Sequence, residues 1–244
     1  MNSRLFSFTS LLVLIALAVV PASAGLVGPL CPNAAGQYAT TGASITALPG
    51  SMDSICGADS AEELSVNPDT AYARLRWSPP TNYPTGTTLG DLSQVSGINA
   101  TVQFTGDDEP YYMFEFNDPG ILGTGGHQIL LLEFQNPAIT GNQLNFDPST
   151  TKFNLIDNDT NQYLAGGQQD AHSLDYWLGQ YPTLATQDLT GIRLGLGLAG
   201  GAGTGSSAII DSVEVVPEPS SLALIGLGLA ALGFSRKRRA PENR

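Results

Sequence analysis

The chain has 244 residues, 42% of them hydrophobic and only 13% charged, with 22 acidic against 10 basic side chains and a net charge of −12. Arg4, Arg236, Lys237, Arg238, Arg239 and Arg244 lie at the two ends, so residues 25–216 hold 4 basic against 20 acidic residues, a net of about −16. Such a body repels phosphate backbones and anionic lipid, which argues against nucleic-acid binding; at 192 residues it can bury one hydrophobic core and requires no second domain.

The N-terminus has the order of a secretory signal. Arg4 precedes the apolar run Leu11–Val20 (LLVLIALAVV), then come Pro21 and the small residues Ala22-Ser23-Ala24 before Gly25. The run is shorter than the roughly 20 residues of a membrane span. A signal peptide over residues 1–24, removed by signal peptidase after Ala24, is therefore expected, and the body is exported. In an exported chain the two cysteines, Cys31 and Cys56, read as a disulfide. Closing that loop stabilises a fold by roughly 3 kcal/mol on the chain-entropy model.

The body reads as strands. In Ile98–Thr105 (INATVQFT), apolar Ile98, Ala100, Val102 and Phe104 alternate with polar residues, the period-2 pattern of a sheet with one buried face. Further strands are expected at 71–77, 111–116, 127–134, 151–156, 191–198 and 207–216, separated by turn sequences such as Ser78-Pro79-Pro80, Asn117-Asp118-Pro119-Gly120 and Thr140-Gly141-Asn142. Many short strands of this kind favour an all-β, antiparallel sandwich or barrel. Ser173–Tyr181 (SLDYWLGQY) breaks the pattern: Leu174, Trp177, Leu178 and Tyr181 fall at helical spacing, Ser173 can cap, and Pro182 stops the run. One short amphipathic helix is expected there, with Trp177 and Tyr181 packed on the core; the alternative is an aromatic platform for a sugar ring.

Chemical motifs are sparse. Asp157, Asp159 and Asn161 place oxygen ligands at alternate positions, as calcium loops do, but the glycine and terminal glutamate of an EF-hand are replaced by Gln162 and Gln168; a tight turn needs the same residue types. Gly195-Leu-Gly197-Leu-Ala-Gly200 matches a dinucleotide fingerprint, yet a glycine-rich loop follows where a helix is required, so it reads as a strand with outward glycines running into a hairpin loop. The only histidines, His127 and His172, belong to no recognisable nucleophile or zinc pattern. Glu115, in an otherwise apolar strand, is the first carboxylate to inspect for glycoside chemistry, although a glutamate in a strand more often faces solvent. No catalytic residue is assigned and no cofactor is expected, calcium at Asp157, Asp159 and Asn161 being the alternative to an ordinary turn.

The C-terminus carries most of the biological information. Pro217-Glu218-Pro219 precedes an apolar run, Leu222–Phe234, of 13 residues, and Arg236-Lys237-Arg238-Arg239 follow. As a helix the run spans roughly 20 Å, less than a hydrocarbon core of about 30 Å. The basic cluster acts as a cytoplasmic stop by the positive-inside tendency. This arrangement resembles the PEP-CTERM sorting signal of Gram-negative bacteria. The resemblance implies processing by an exosortase, with Pro217, Glu218 and Pro219 as recognition residues of the substrate, in organisms that make extracellular polysaccharide and grow as biofilm or floc. The stretch from Leu189 to Val215 is similar to the end of jelly-roll domains in exported proteins of this kind, where a glycine-rich loop leads to a final strand; Ile210, Asp211, Val213 and Val215 carry that pattern.

The expected organisation is thus a signal peptide (1–24), a jelly-roll-like β-sandwich (25–216), a sorting signal with a short transmembrane helix and basic stop (217–239), and a cytoplasmic stub (240–244). The expected protein is non-catalytic, held transiently at the inner membrane with its body periplasmic, then placed at the cell surface or secreted, with extracellular polysaccharide as a partner. The alternatives are a carbohydrate-binding module and, further off, a secreted glycoside hydrolase.

Overall fold

The computed structural model describes residues 26, 28–48, 56, 61–67, 71–106, 109–120, 122–124, 126–133, 138–164, 170–197 and 205–217. The expected signal peptide, the expected membrane helix and the basic stop Arg236 to Arg239 lie outside the described residues, as do Glu218 and Pro219. No described helix is long and apolar enough to cross a membrane.

In chain order the strands are β1 (Gly28–Pro29), β2 (Gly36–Ala39), β3 (Ala43–Ala47), β4 (Glu62–Val66), β5 (Ala73–Trp77), β6 (Val95–Thr105), β7 (Tyr111–Asn117), β8 (Gln128–Leu132), β9 (Ala138–Thr140), β10 (Gln143–Phe146), β11 (Lys152–Asp157), β12 (Gln162–Tyr163), β13 (His172–Ser173), β14 (Gly191–Leu196) and β15 (Ser206–Pro217). They form two antiparallel sheets. The first has the order β3-β4-β15-β6-β10-β9, with β1 also on β15. The second runs β12-β11-β8-β7-β14-β5-β2, with β13 also on β11. The chain crosses repeatedly from one sheet to the other, and the result is a jelly-roll-like sandwich.

Alternation builds the core. The first sheet turns Leu64 and Val66, Ile98, Ala100 and Val102, and Leu144 and Phe146 inward; the second answers with Ala73, Leu75 and Trp77, Tyr112, Phe114 and Phe116, Phe153 and Leu155, and Ile192 and Leu194, all in one cluster. At its centre Phe114, Phe146 and Phe153 meet with ring centroids 4.8 to 5.7 Å apart, at the tilted and edge-on angles aromatic quadrupoles favour. In β15 the inward set changes phase, from Ala208 and Ile210 to Val213 and Val215. A register shift between Ile210 and Ser212 permits this, and the buried Asp211 is the extra residue.

All seven sequence-predicted strands are present. The weakly patterned residues between the cysteines additionally form the edge strands β2 and β3, exposed or half-buried along their length, and Cys31 and Cys56 are joined by the expected disulfide. The helix expected at 173–181 is α2 (Leu174–Gln180), capped by the Ser173 hydroxyl, which accepts from the Tyr176 amide. A further helix, α1 (Leu89–Ser93), was not anticipated; Thr88 and Asp91 close it with a reciprocal capping box. The hairpin reading of the glycine-rich stretch is corrected: β14 pairs with β5 and β7 and β15 with β4 and β6, so the two strands it joins belong to different sheets and do not form a hairpin.

Candidate functional site

The outward face of the second sheet is not an ordinary solvated face. Register sets its side chains in rows: Tyr38, Arg74, Gly195 and Tyr111 form one, and Gly36, Arg76, Arg193, Met113, Leu132 and Asn154 the next. The third is Gly191, Glu115, Leu130, Ile156 and Tyr163. On β7, β8 and β11 this face is a second apolar cluster, with Tyr111, Met113, Leu130, Leu132 and Ile156 buried. On β2, β5 and β14 it is cationic. Three of the body's four basic residues, Arg74, Arg76 and Arg193, stand together there.

Glu115 is fully buried, not solvent-facing, and serves as counter-ion to Arg76 and Arg193. Arg76 donates to Glu115 Oε2 from Nε at 2.7 Å and to the Thr190 carbonyl from Nη2 at 2.8 Å. Arg193 pairs with the other carboxylate oxygen through Nη2. The glycines make this possible: a Cβ on Gly191 would collide with the Glu115 carboxylate, and one on Gly195 would press the Tyr111 ring at 3.0 Å and the Arg74 stem at 3.3 Å. These are the outward glycines expected in the strand at 191–198. A glycosidase needs two carboxylates facing one another; the ion-pair partners of Glu115 are both cations.

One carboxylate does not satisfy three guanidiniums. Arg74 lies over the Tyr72 ring at 4.0 Å, a cation–π contact, and donates no hydrogen bond among the described residues. Among the described residues its buried Nε has no hydrogen-bond partner, and neither has that of Arg193. Burial first, and repulsion from Arg74 and Arg76 second, push the Arg193 pKa down to about 10. Tyr72 stacks on Tyr38 with centroids 5.7 Å apart, and Tyr38 is 56% exposed, leaving an aromatic surface at the edge of the cationic strip. The sequence hid this site because Arg193 lies more than a hundred residues from Arg74 and Arg76; the only local signal was arginine inside apolar strands of an acidic chain.

The residues singled out from sequence lie elsewhere. Asp157 Oδ2 meets His127 Nδ1 at 3.0 Å, and Asp157 Oδ1 accepts from the amides of Asp159 and Thr160, an Asx turn after β11. Asp159 Oδ2 is 3.9 Å from the same imidazole nitrogen, so His127, Asp157 and Asp159 converge. Asn161 takes the left-handed backbone conformation of the turn, at φ 55°. The His127 hydrogen bond holds the Asp157 carboxyl down at about 2, and the same bond raises the imidazole. Calcium prefers an all-oxygen shell, whereas imidazole suits transition metals. Trp177 is buried and its indole donates to the Phe153 carbonyl at 2.9 Å; Tyr181 is half-buried against the core. The aromatic side chain that α2 exposes is Tyr176, stacked on His172 at 3.7 Å. Pro217, the first sorting-motif residue, closes β15 opposite Val95, and its carbonyl accepts from Ser96 Oγ at 3.1 Å.

Among solved structures, the chain is similar to a family 11 carbohydrate-binding module of a cellulosomal cellulase of Clostridium thermocellum, with 15% identity over 80% of this chain and 97% of that one and a TM-score of 0.41. It is also similar to the xyloglucanase domain of a type three effector from Sinorhizobium fredii solved with cellobiose, with 11% identity over 75% of this chain and 96% of that one and a TM-score of 0.36. Likeness at this level assigns neither ligand nor activity. No curated protein matches the sequence. One family model does match, that of the PEP-CTERM protein-sorting motif, over residues 215–239. The match begins inside the last strand of the sandwich and takes in Pro-Glu-Pro, the apolar run and the basic stop. The chain therefore carries a PEP-CTERM sorting motif, the mark of an exported protein processed at the membrane by an exosortase.

Proposed function

We propose that this protein is a non-catalytic component of the cell surface or extracellular matrix, delivered by exosortase sorting and associated there with extracellular polysaccharide. The carrying observation is the sorting motif at residues 215–239, whose match begins within the last strand of the sandwich. An exported acidic sandwich of this build is a soluble, disulfide-stapled module suited to life outside the cytoplasm. Replacing Pro217 and Glu218 by alanine tests the sorting claim. Pro217 offers the sheet only its carbonyl, which alanine retains, so folding is preserved while processing fails. A variant exported and trimmed like the wild type overturns the reading.

Carbohydrate binding by the body itself is the second reading. A specific observation favours it: the outward sheet face joins an exposed tyrosine to a strip of incompletely paired arginines. Hydrolysis is not favoured, because Glu115, the first carboxylate considered for it, is clamped between guanidiniums.

A further inference from the structure

We infer that the Arg74–Arg76–Arg193 face is a binding site for an acidic saccharide, with the arginines receiving a uronate carboxylate and Tyr38 stacking on a sugar ring. The inference rests on the polysaccharide reading above and names the class of polymer. Its first support is charge. In a body with 20 acidic and 4 basic residues, random placement would surround each arginine with carboxylates; instead three converge on one strip with, among the described residues, only Glu115 in ion-pair contact. Burial first, and the neighbouring Arg74 and Arg76 charges second, disfavour the charged form of Arg193, and a bound anion relieves the second of these. The second support is hydrogen-bonding capacity. Buried donors normally have partners, yet Nε of Arg74 and of Arg193 have none, and Arg74 donates to nothing described. A guanidinium fork matches a carboxylate in a bidentate way, so a carboxylate suits the Arg74 head, which the fold leaves without a hydrogen bond among the described residues, better than a hydroxyl does. The third is shape: the exposed Tyr38 ring stands beside Arg74, its register partner, where it can stack on a sugar ring.

The test is calorimetric titration of the exported protein with a galacturonate oligomer, with cellohexaose as the neutral counterpart and inorganic sulfate as the bare anion. The galacturonate oligomer is expected to bind and cellohexaose and sulfate to bind at least about tenfold more weakly, the worth of a charge-assisted contact. Arg74→Gln is expected to weaken galacturonate binding about tenfold with unfolding unchanged, since Arg74 makes no hydrogen bond that the fold requires. Tyr38→Ala weakens it severalfold. Equal binding of cellohexaose, retained by Arg74→Gln, keeps the polysaccharide reading and overturns the acidic site. Sulfate binding as tightly as the oligomer reduces the face to an adventitious ion site only and overturns the proposal. Binding of none of the three overturns it together with carbohydrate recognition by the body.

Discussion

Gly191 stands directly opposite Glu115 on the ladder between β14 and β7, and the Glu115 carboxylate occupies the space where a Gly191 side chain would begin. The buried ion pair with Arg76 therefore depends on a missing methyl group on the neighbouring strand. Gly191→Ala is predicted to lower stability by about 3 kcal/mol, because it displaces a fully buried carboxylate from its partners. Urea unfolding measures it. A loss below about 0.5 kcal/mol, the size of an ordinary surface change, contradicts the account.

Glu62 points inward with Leu64 and Val66; its Oε1 accepts from Gln37 at 3.0 Å, and its Oε2 has no partner among the described residues. Burial raises its pKa. A carboxyl whose folded pKa is raised contributes stability that is complete below its unfolded value and lost as pH rises through the folded one. At pH 7 it is thus a cost, and Glu62→Gln is predicted to stabilise the protein there by about 1 kcal/mol, with the gain vanishing toward pH 4. Thermal unfolding across that range reads the effect; a destabilised variant at neutral pH contradicts it.

The His127–Asp157 contact acts over a different window. The raised imidazole stabilises the fold while protonated, below its unfolded value near about 6.5, and this is lost as pH rises through the folded pKa. The depressed carboxyl stabilises it above the ordinary Asp value, and this is lost as pH falls through about 2. The stability difference between wild type and His127→Gln is predicted to be largest between about pH 4 and 6.5 and to shrink on both sides. A pH-independent difference would remove the contact from the account.

Cys31 and Cys56 tie down the segment that carries the edge strands β2 and β3, and the Cys31 carbonyl also accepts from the buried Trp77 indole at 2.9 Å. Replacing both cysteines by serine is predicted to cost about 3 kcal/mol. Limited proteolysis is expected to open residues 31–56 before the central strand β6. Simultaneous cleavage in both places contradicts this ordering.

Sequence pattern and structure agree where one physical signal dominates. Alternation in Ile98–Thr105 marks a half-buried strand, and Ser173 with Leu174 and Trp177 marks a capped helix, because local geometry decides both. The edge strands β2 and β3 bury too little to show a period. Glu115 defied the usual reading because its partners come from β5 and β14, and register between distant strands is not written locally. Helix α1 was announced by Thr88 and Asp91, but five residues are too few to show a helical stripe. Trp177 is legible as core from its spacing; the exposed aromatic surface at Tyr38 is set by sheet order alone.

The central claim is sorting, and the intact mass of the exported protein tests it most directly. The account predicts a chain beginning at Gly25, with the Cys31–Cys56 disulfide intact and the C-terminus lost at or near Pro217-Glu218-Pro219, so that the apolar run and the Arg236–Arg239 cluster are missing. An exported chain that keeps Leu222 to Arg244 would contradict it.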